Sequence, residues 1–211
     1  MKHEWRKSEK EVYIPKQKPV IVNLKPMKYF TIEGKGNPNG EQFKENIQAL
    51  YPLAYAVKMM LKKDNENIKG YNDYTVYPLE GIWDLTQKGR LEIENGLNKD
   101  ELVYKIMIRQ PDFVNEEIVE NAIENIKNKK PYTLLDKVKF EIIDEGMCVQ
   151  SLHIGSYDNE KETFDKMEKF CEENNLEILS KAHKEIYISD FRKVSIEKLK
   201  TTLRYRVTCK K

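Results

Sequence analysis

The chain is poor in the residues that would tie it to a metal, a disulfide scaffold or a membrane. Three cysteines, Cys148, Cys171 and Cys209, and three histidines are spread over 211 residues. An odd cysteine count without CxxC spacing argues against a secreted disulfide framework and against a zinc ribbon, and histidines so far apart do not make a metal site. No stretch approaches the roughly 18 uncharged apolar residues of a membrane span, and the opening Met1-Lys2-His3-Glu4-Trp5 has no apolar signal core. A soluble protein of the reducing cytoplasm is expected. Neither charge is in excess: 37 Lys and Arg face 35 Asp and Glu, a net charge of +2, and the signs alternate along the chain. Such a surface offers no broad basic face to a phosphate backbone, so direct nucleic-acid binding is not expected. The run Gly34-Lys35-Gly36-Asn37-Pro38-Asn39-Gly40 fits neither GxGxxG nor GxxxxGK[ST], and neither GxSxG nor HExxH occurs. No cofactor is expected.

What is present is a core. Hydrophobic residues make up 39% and aromatics 10%, so the 34% of charged residues reads as a solvated surface, not as disorder. Residues 1–19, punctuated by Pro15 and Pro19, read as a loosely attached arm that Trp5, Val12 and Tyr13 pin down. Strand-like residues follow from Val20 to Ile32, with Pro26 limiting the regular part. Phe43, Ile47, Leu50, Ala54, Val57 and Leu61 recur at helical steps and predict a helix over Glu41–Leu61, with Pro52 kinking it or ending its first half. Tyr74–Leu85 and Leu102–Ile108 read as strands joined by a charged loop. Asn115 reads as the N-cap of a helix that Pro131 ends. Strands are then expected at Lys137–Ile143, Met147–Ile154, Glu185–Ser189 and Thr202–Thr208, with a helix at Glu160–Asn174 whose Phe164, Met167, Phe170 and Cys171 face inward.

This order contains a repeat. Strand, glycine turn, helix, strand and strand recur from about 20 to 110 and from about 146 to 209, linked by 111–145. Gly34 precedes Phe43 by nine residues and Gly155 precedes Phe164 by nine. The expected fold is α+β: one domain over 20–211 built from tandem, pseudo-symmetric strand-helix-strand-strand modules with antiparallel sheet.

Strand alternation singles out His183-Lys184-Glu185-Ile186-Tyr187-Ile188-Ser189-Asp190. His183, Glu185, Tyr187 and Ser189 share one side, and Ile186 and Ile188 the other. An acid, a phenol, an imidazole and a hydroxyl in a row are either a polar pocket floor or the wet face of an edge strand. Tyr187 beside Glu185 favours the pocket, because a phenol is useful against a flat ligand. The matching strand of the first module carries Tyr74, Tyr77, Glu80 and Trp83. These are pocket walls with a second carboxylate, or else ordinary core packing with a turn acid. Arg109, Arg204 and Arg206 either pair with acids or meet an anionic group. His153, between Leu152 and Ile154, fits a satisfied structural histidine or a ligand contact.

Four segments together, Tyr77–Trp83, Ile108–Phe113, His153–Tyr157 and His183–Asp190, resemble stand-alone GyrI-like proteins, the superfamily that includes effector-binding domains of transcription regulators. The resemblance spans about Val20 to Val207. It implies tandem strand-helix-strand-strand modules that bind flat, often cationic, drug-like compounds in a cleft between them, with a buried glutamate in the second module at the position of Glu185. Some members hydrolyse cyclopropane-containing alkylating compounds. In that reading Glu185 orients or deprotonates water, Tyr187 or a nearby phenol polarises the leaving side and Trp83 stacks on the substrate. The chain departs from many relatives at Phe191, where they carry proline. Two other roles remain open, a protein-interaction module of the gyrase-inhibitor kind and a regulator's effector-sensing domain.

Overall fold

Helical periodicity and strand alternation are obeyed in a computed structural model that describes residues 2–66, 68–129, 133–190 and 192–210. The predicted end of a helix at Pro131 and the departure at Phe191 lie outside them. The secondary structure is α+β, with every register-defined strand pair antiparallel. In chain order the elements are α1 (Trp5–Ser8), α2 (Lys10–Tyr13), β1 (Val20–Leu24), β2 (Met27–Lys35), α3 (Glu41–Lys63), β3 (Leu79–Leu85), α4 (Gln87–Glu92), β4 (Leu102–Gln110), α5 (Glu116–Lys129), β5 (Lys139–Ile143), β6 (Gly146–Ile154), α6 (Lys161–Glu173), β7 (Leu176–Ile178), β8 (His183–Tyr187) and β9 (Lys200–Cys209).

The contacts divide the chain into two compact units that do not coincide with the two sequence modules. The first comprises 1–4, 27–77 and 85–143, and the second 5–26, 78–84 and 144–211. The single strand expected over Val20–Ile32 is therefore two. The break at Lys25-Pro26 sends β1 to β6 and β2 to β4 and β5. Proline has no amide to give a ladder, so a strand change at Pro26 costs little.

In the first unit α3 packs on β2, β4 and α5. Its buried face is Ala49, Leu50, Leu53, Ala54, Val57 and Leu61, set against a sheet that buries Phe30, Ile32, Ile106 and Ile108. Pro52 does not end this helix: it is exposed, as is Gln48, whose carbonyl would otherwise accept from the amide that proline lacks. Asn115 does cap α5, its Oδ1 accepting from the Ile118 amide at 2.9 Å. Tyr74 lies outside the regular strand and makes only an isolated bridge to His3. The charged loop before β4 holds α4, capped by Thr86, whose Oγ1 accepts from the Gly89 amide.

In the second unit the sheet order is β1-β6-β9-β8-β3, with β7 also on β9. Helix α6 covers one face, where Val149, Met167, Cys171, Leu203, Tyr205 and Val207 close a core. The arm covers the other face and is not loose. Trp5 and Tyr13 are buried with their rings 5.2 Å apart, and the Glu11, Val12 and Tyr13 carbonyls accept from Gln150, Arg204 and Thr202. Buried side-chain donors on β6 and β9 need such acceptors, and the end of α2, whose last carbonyls have no partner within the helix, supplies them. The two repeat phenylalanines each meet a tyrosine of their own unit: Phe43 edge-on to Tyr104 at 5.0 Å and Phe164 tilted to Tyr205 at 5.2 Å.

Candidate functional site

On β8 the period-two pattern places His183, Glu185 and Tyr187 in one row on the α6 side of the second unit's sheet. Glu185 is held at both oxygens. Its Oε1 lies 3.1 Å from His183 Nε2, and its Oε2 accepts from the Tyr187 hydroxyl at 2.8 Å. The Tyr187 oxygen in turn accepts from Trp83 Nε1 at 2.8 Å. The partner strand β3 makes this reach possible, since Gly81 stands opposite Glu185 and Trp83 opposite His183. A Cβ on Gly81 would fall 2.8 Å from Trp83 Nε1, so the indole lies back over a residue that must be glycine.

Tyr187 stays a phenol. Burial, together with the charge of Glu185 and the hydrogen bond to it, pushes its pKa well above the usual value. Its single proton is directed at Glu185 and its oxygen at Trp83. In this geometry the Tyr187 hydroxyl donates to the Glu185 carboxylate. Trp83 is 4% exposed, with its indole N–H donated to the Tyr187 oxygen.

The turn after β6 brings a second acid. Gly155 has φ +134°, a conformation that side chains disfavour, and leads the chain through Ser156 and Tyr157 to Glu160 at the start of α6. His153 braces this turn. Its Nε2 donates to the Ser156 carbonyl and, with that tautomer set, its Nδ1 accepts from Thr163 Oγ1, both at 2.9 Å. His153 is thus a satisfied structural histidine. Glu160 is 7% exposed and its Oε1 has no hydrogen-bond partner among the described residues. Burial raises its pKa well above the ordinary carboxyl value, and the charges of Glu185 and Asp158 raise it further. Tyr157 is pushed up to about 12 by burial and by Glu160, Glu185 and Asp190, and its ring meets Tyr187 edge-on at 6.0 Å. Phe164 meets His183 at 4.7 Å. The group therefore holds one carboxyl group oriented at both oxygens, one buried carboxyl group whose pKa is raised, and aromatic rings.

A group whose folded pKa is raised contributes stability that is complete below its unfolded pKa and is lost as pH rises through the folded one. Glu160 therefore costs stability at neutral pH. Glu160→Gln is expected to be more stable than the parent there, by an amount that shrinks to nothing as pH falls to about 4.5. Parallel thermal melts across that range check the trend, and a constant difference would remove the buried-acid assignment.

The other predicted site residues make contacts of their own. Glu80 is opposite Ile186 in register and faces away from Glu185, toward Lys184. Tyr74, Tyr77 and Arg109 belong to the first unit, where Arg109 lies over the Tyr77 ring at 4.7 Å and Lys58 lies 5.6 Å from the centre of the Tyr74 ring. Arg204 is buried among acceptors, and Arg206 reaches the Glu145 carbonyl. Sequence reasoning missed Glu160, Tyr157 and Phe164 as neighbours of Glu185. The signal was available for Glu160 in its place five residues after the glycine turn, but a first-turn glutamate is ordinary on any helix.

The model of the GyrI-like small molecule binding domain matches residues 17–208. The chain belongs to this family. Three solved structures from Listeria innocua are similar to it over nearly the whole length. An uncharacterized conserved protein has 38% identity and TM-score 0.87, covering 98% of this chain and 100% of that one. Two structures described as hydrolases have 36% identity, with TM-scores of 0.85 and 0.86, covering 98% and 99% of this chain and 100% of each relative. The C-terminal domain of EcmrR, at 13% identity and TM-score 0.51 with 90% and 97% coverage, shares the fold. A search of curated proteins finds no match. Family membership makes this a small-molecule-binding domain. No helix among the described residues of this GyrI-like chain is long and apolar enough to cross a membrane.

Proposed function

We propose that the protein binds flat, aromatic, cationic drug-like compounds at the acid and aromatic group around Glu185. In the same place it hydrolyses strained electrophiles such as cyclopropane-containing alkylators, a detoxifying role in the cytoplasm. The observation that carries this reading is the pairing of Glu185, oriented at both oxygens, with Glu160, buried and lacking a partner for Oε1. The two Listeria structures described as hydrolases support it at 36% identity.

Charge and rings explain the ligand class. A cation meets Glu185 directly, while Tyr157, 38% exposed, and Tyr187 offer π faces. Burial and neighbouring charges raise the pKa of Glu160, which suits it to the role of acid, while Glu185, oriented at both oxygens, takes that of base. Glu185 takes a proton from water as the water oxygen bonds to the strained carbon. The breaking carbon–carbon bond releases its electron pair into the substrate, and Glu160 supplies the proton that quenches it. Solvent exchange then returns the proton from Glu185 to Glu160. Tyr187 and Trp83 hold the base still throughout.

Incubation with a cyclopropane-containing alkylator, followed by mass spectrometry, should show addition of one water to the substrate. Absence of hydrated product with a stoichiometric complex still formed would reduce the function to binding. Trp83→Phe keeps an aromatic ring but removes the donor to Tyr187. It should weaken the planar cation N-methylacridinium about two- to tenfold in titration calorimetry, the worth of one hydrogen bond. Unchanged affinity would disconnect Trp83 from the site.

A further inference from the structure

Behind β8, on the face away from Glu185, lies a charge cluster that the proposed chemistry does not use. Lys184 is 3% exposed and shares its side of the strand with Ile186. Its Nζ lies 2.9 Å from Glu80 Oε2 and 2.6 Å from Glu145 Oε2. Arg204 Nη1 reaches the same Glu145 oxygen at 3.1 Å. Its Nε and Nη2 donate to Gln150 Oε1 at 3.1 and 2.8 Å, and Nη2 also donates to the Val12 carbonyl at 2.8 Å. Two cations face two carboxylates, so the formal charge closes to zero inside the cluster.

Buried ion pairs are a poor source of net stability, because desolvation consumes most of the Coulombic gain. Their best-attested use is to select one register over its neighbours. Here the register matters to the site. Glu80 and Trp83 are three residues apart on β3, so they point to opposite faces: Glu80 toward Lys184 and Trp83 toward Tyr187. A slip of β3 by one residue would turn Glu80 toward the α6 face and leave Lys184 with one carboxylate fewer. The same slip would take the indole away from the Tyr187 hydroxyl.

We infer that Lys184 is a positioning residue: by holding Glu80 and Glu145 behind the sheet, it sets the β3–β8 register that brings Trp83 to Tyr187 and so aims the Tyr187 hydroxyl at Glu185. This rests on the reading of Glu185 as the site carboxylate, but the register itself is observable without any ligand. In the full-length 15N-labelled protein, the Trp83 indole N–H resonance is identified by its loss in Trp83→Phe, and Tyr187→Phe shows where it moves when the hydrogen bond is absent. Lys184→Met should leave a folded protein whose Trp83 resonance shifts toward the Tyr187→Phe position, and N-methylacridinium should bind about tenfold more weakly. A folded Lys184→Met protein with the parental Trp83 resonance overturns the inference. Should Lys184→Met not fold, Glu80→Gln, which keeps the Lys184–Glu145 pair, decides the matter: a shifted resonance supports the register role, and an unmoved one ends it. Failure of the parent protein to bind N-methylacridinium would strike the Glu185 reading alone and leave the resonance test standing.

Discussion

Glu185→Gln is expected to weaken N-methylacridinium by about 10- to 100-fold while leaving acridine, the neutral ring system of the same outline, within about twofold. The argument is one of shape kept and charge removed. Glutamine preserves volume, and its carbonyl can still accept from Tyr187, whereas its amide nitrogen cannot accept from His183. Hydrogen bonds and contacts to a charged group in a partly desolvated place are worth about 1.5–3 kcal/mol, which is the fold-change quoted. Glu185 is such a group: 13% of its side chain remains exposed, enough to be met and too little to be screened as in bulk water. If the site also hydrolyses, loss of the base should lower the rate by about 10²–10⁴ while binding of a neutral substrate persists. Titration of both ring systems against parent and variant separates charge from shape. Equal weakening of acridine and N-methylacridinium would mean that the substitution had disturbed the fold around β8. No weakening of either would make Glu185 a solvated strand residue.

The largest loss of stability is expected from Arg204→Leu. Arg204 is 2% exposed and serves Glu145, Gln150 and the Val12 carbonyl at once. Its removal leaves those acceptors buried and short of donors, a change that costs about 3–5 kcal/mol when one side of a buried pair is deleted. For a chain of this size that corresponds to a fall in melting temperature of roughly 6–20 °C. The acid side of the stability profile should change as well. Burial alone would raise the Glu145 pKa, but the charges of Lys184 and Arg204 and their hydrogen bonds outweigh it and hold the group below its ordinary value. A depressed carboxylate contributes stability that is present above its unfolded pKa and lost as pH falls through the folded one. The parent should therefore lose more stability on acidification than Arg204→Leu does. Differential scanning calorimetry at neutral and acidic pH reads both effects. A variant that melts with the parent at both would mean that water replaces the guanidinium without cost.

Much of this protein was legible before folding, because local physics leaves a period in the sequence. The apolar steps of α3 and α6, the Asn115 cap and the alternation along β8 were all read correctly from residue spacing. Glu185 was placed beside Tyr187 and His183 by the same alternation, since residues two apart on a strand always share a face. Lys184 obeys that rule too, sharing the isoleucine side of β8, but its burial against acids was seen only in the structure. Which acids they are was not legible. Glu80 and Glu145 lie 104 and 39 residues from Lys184, and only strand pairing brings them within 3 Å. Tertiary structure alone decided that Val20–Pro26 and Pro78–Asp84 join the second unit, that the arm before β1 supplies acceptors to Arg204 and Thr202, and that Glu160 is buried near Glu185. The physical reason is common to all three. Periodicity says which side of an element faces inward, whereas the identity of the neighbour across the gap depends on strand pairing over long separations, to which residues near in sequence contribute nothing.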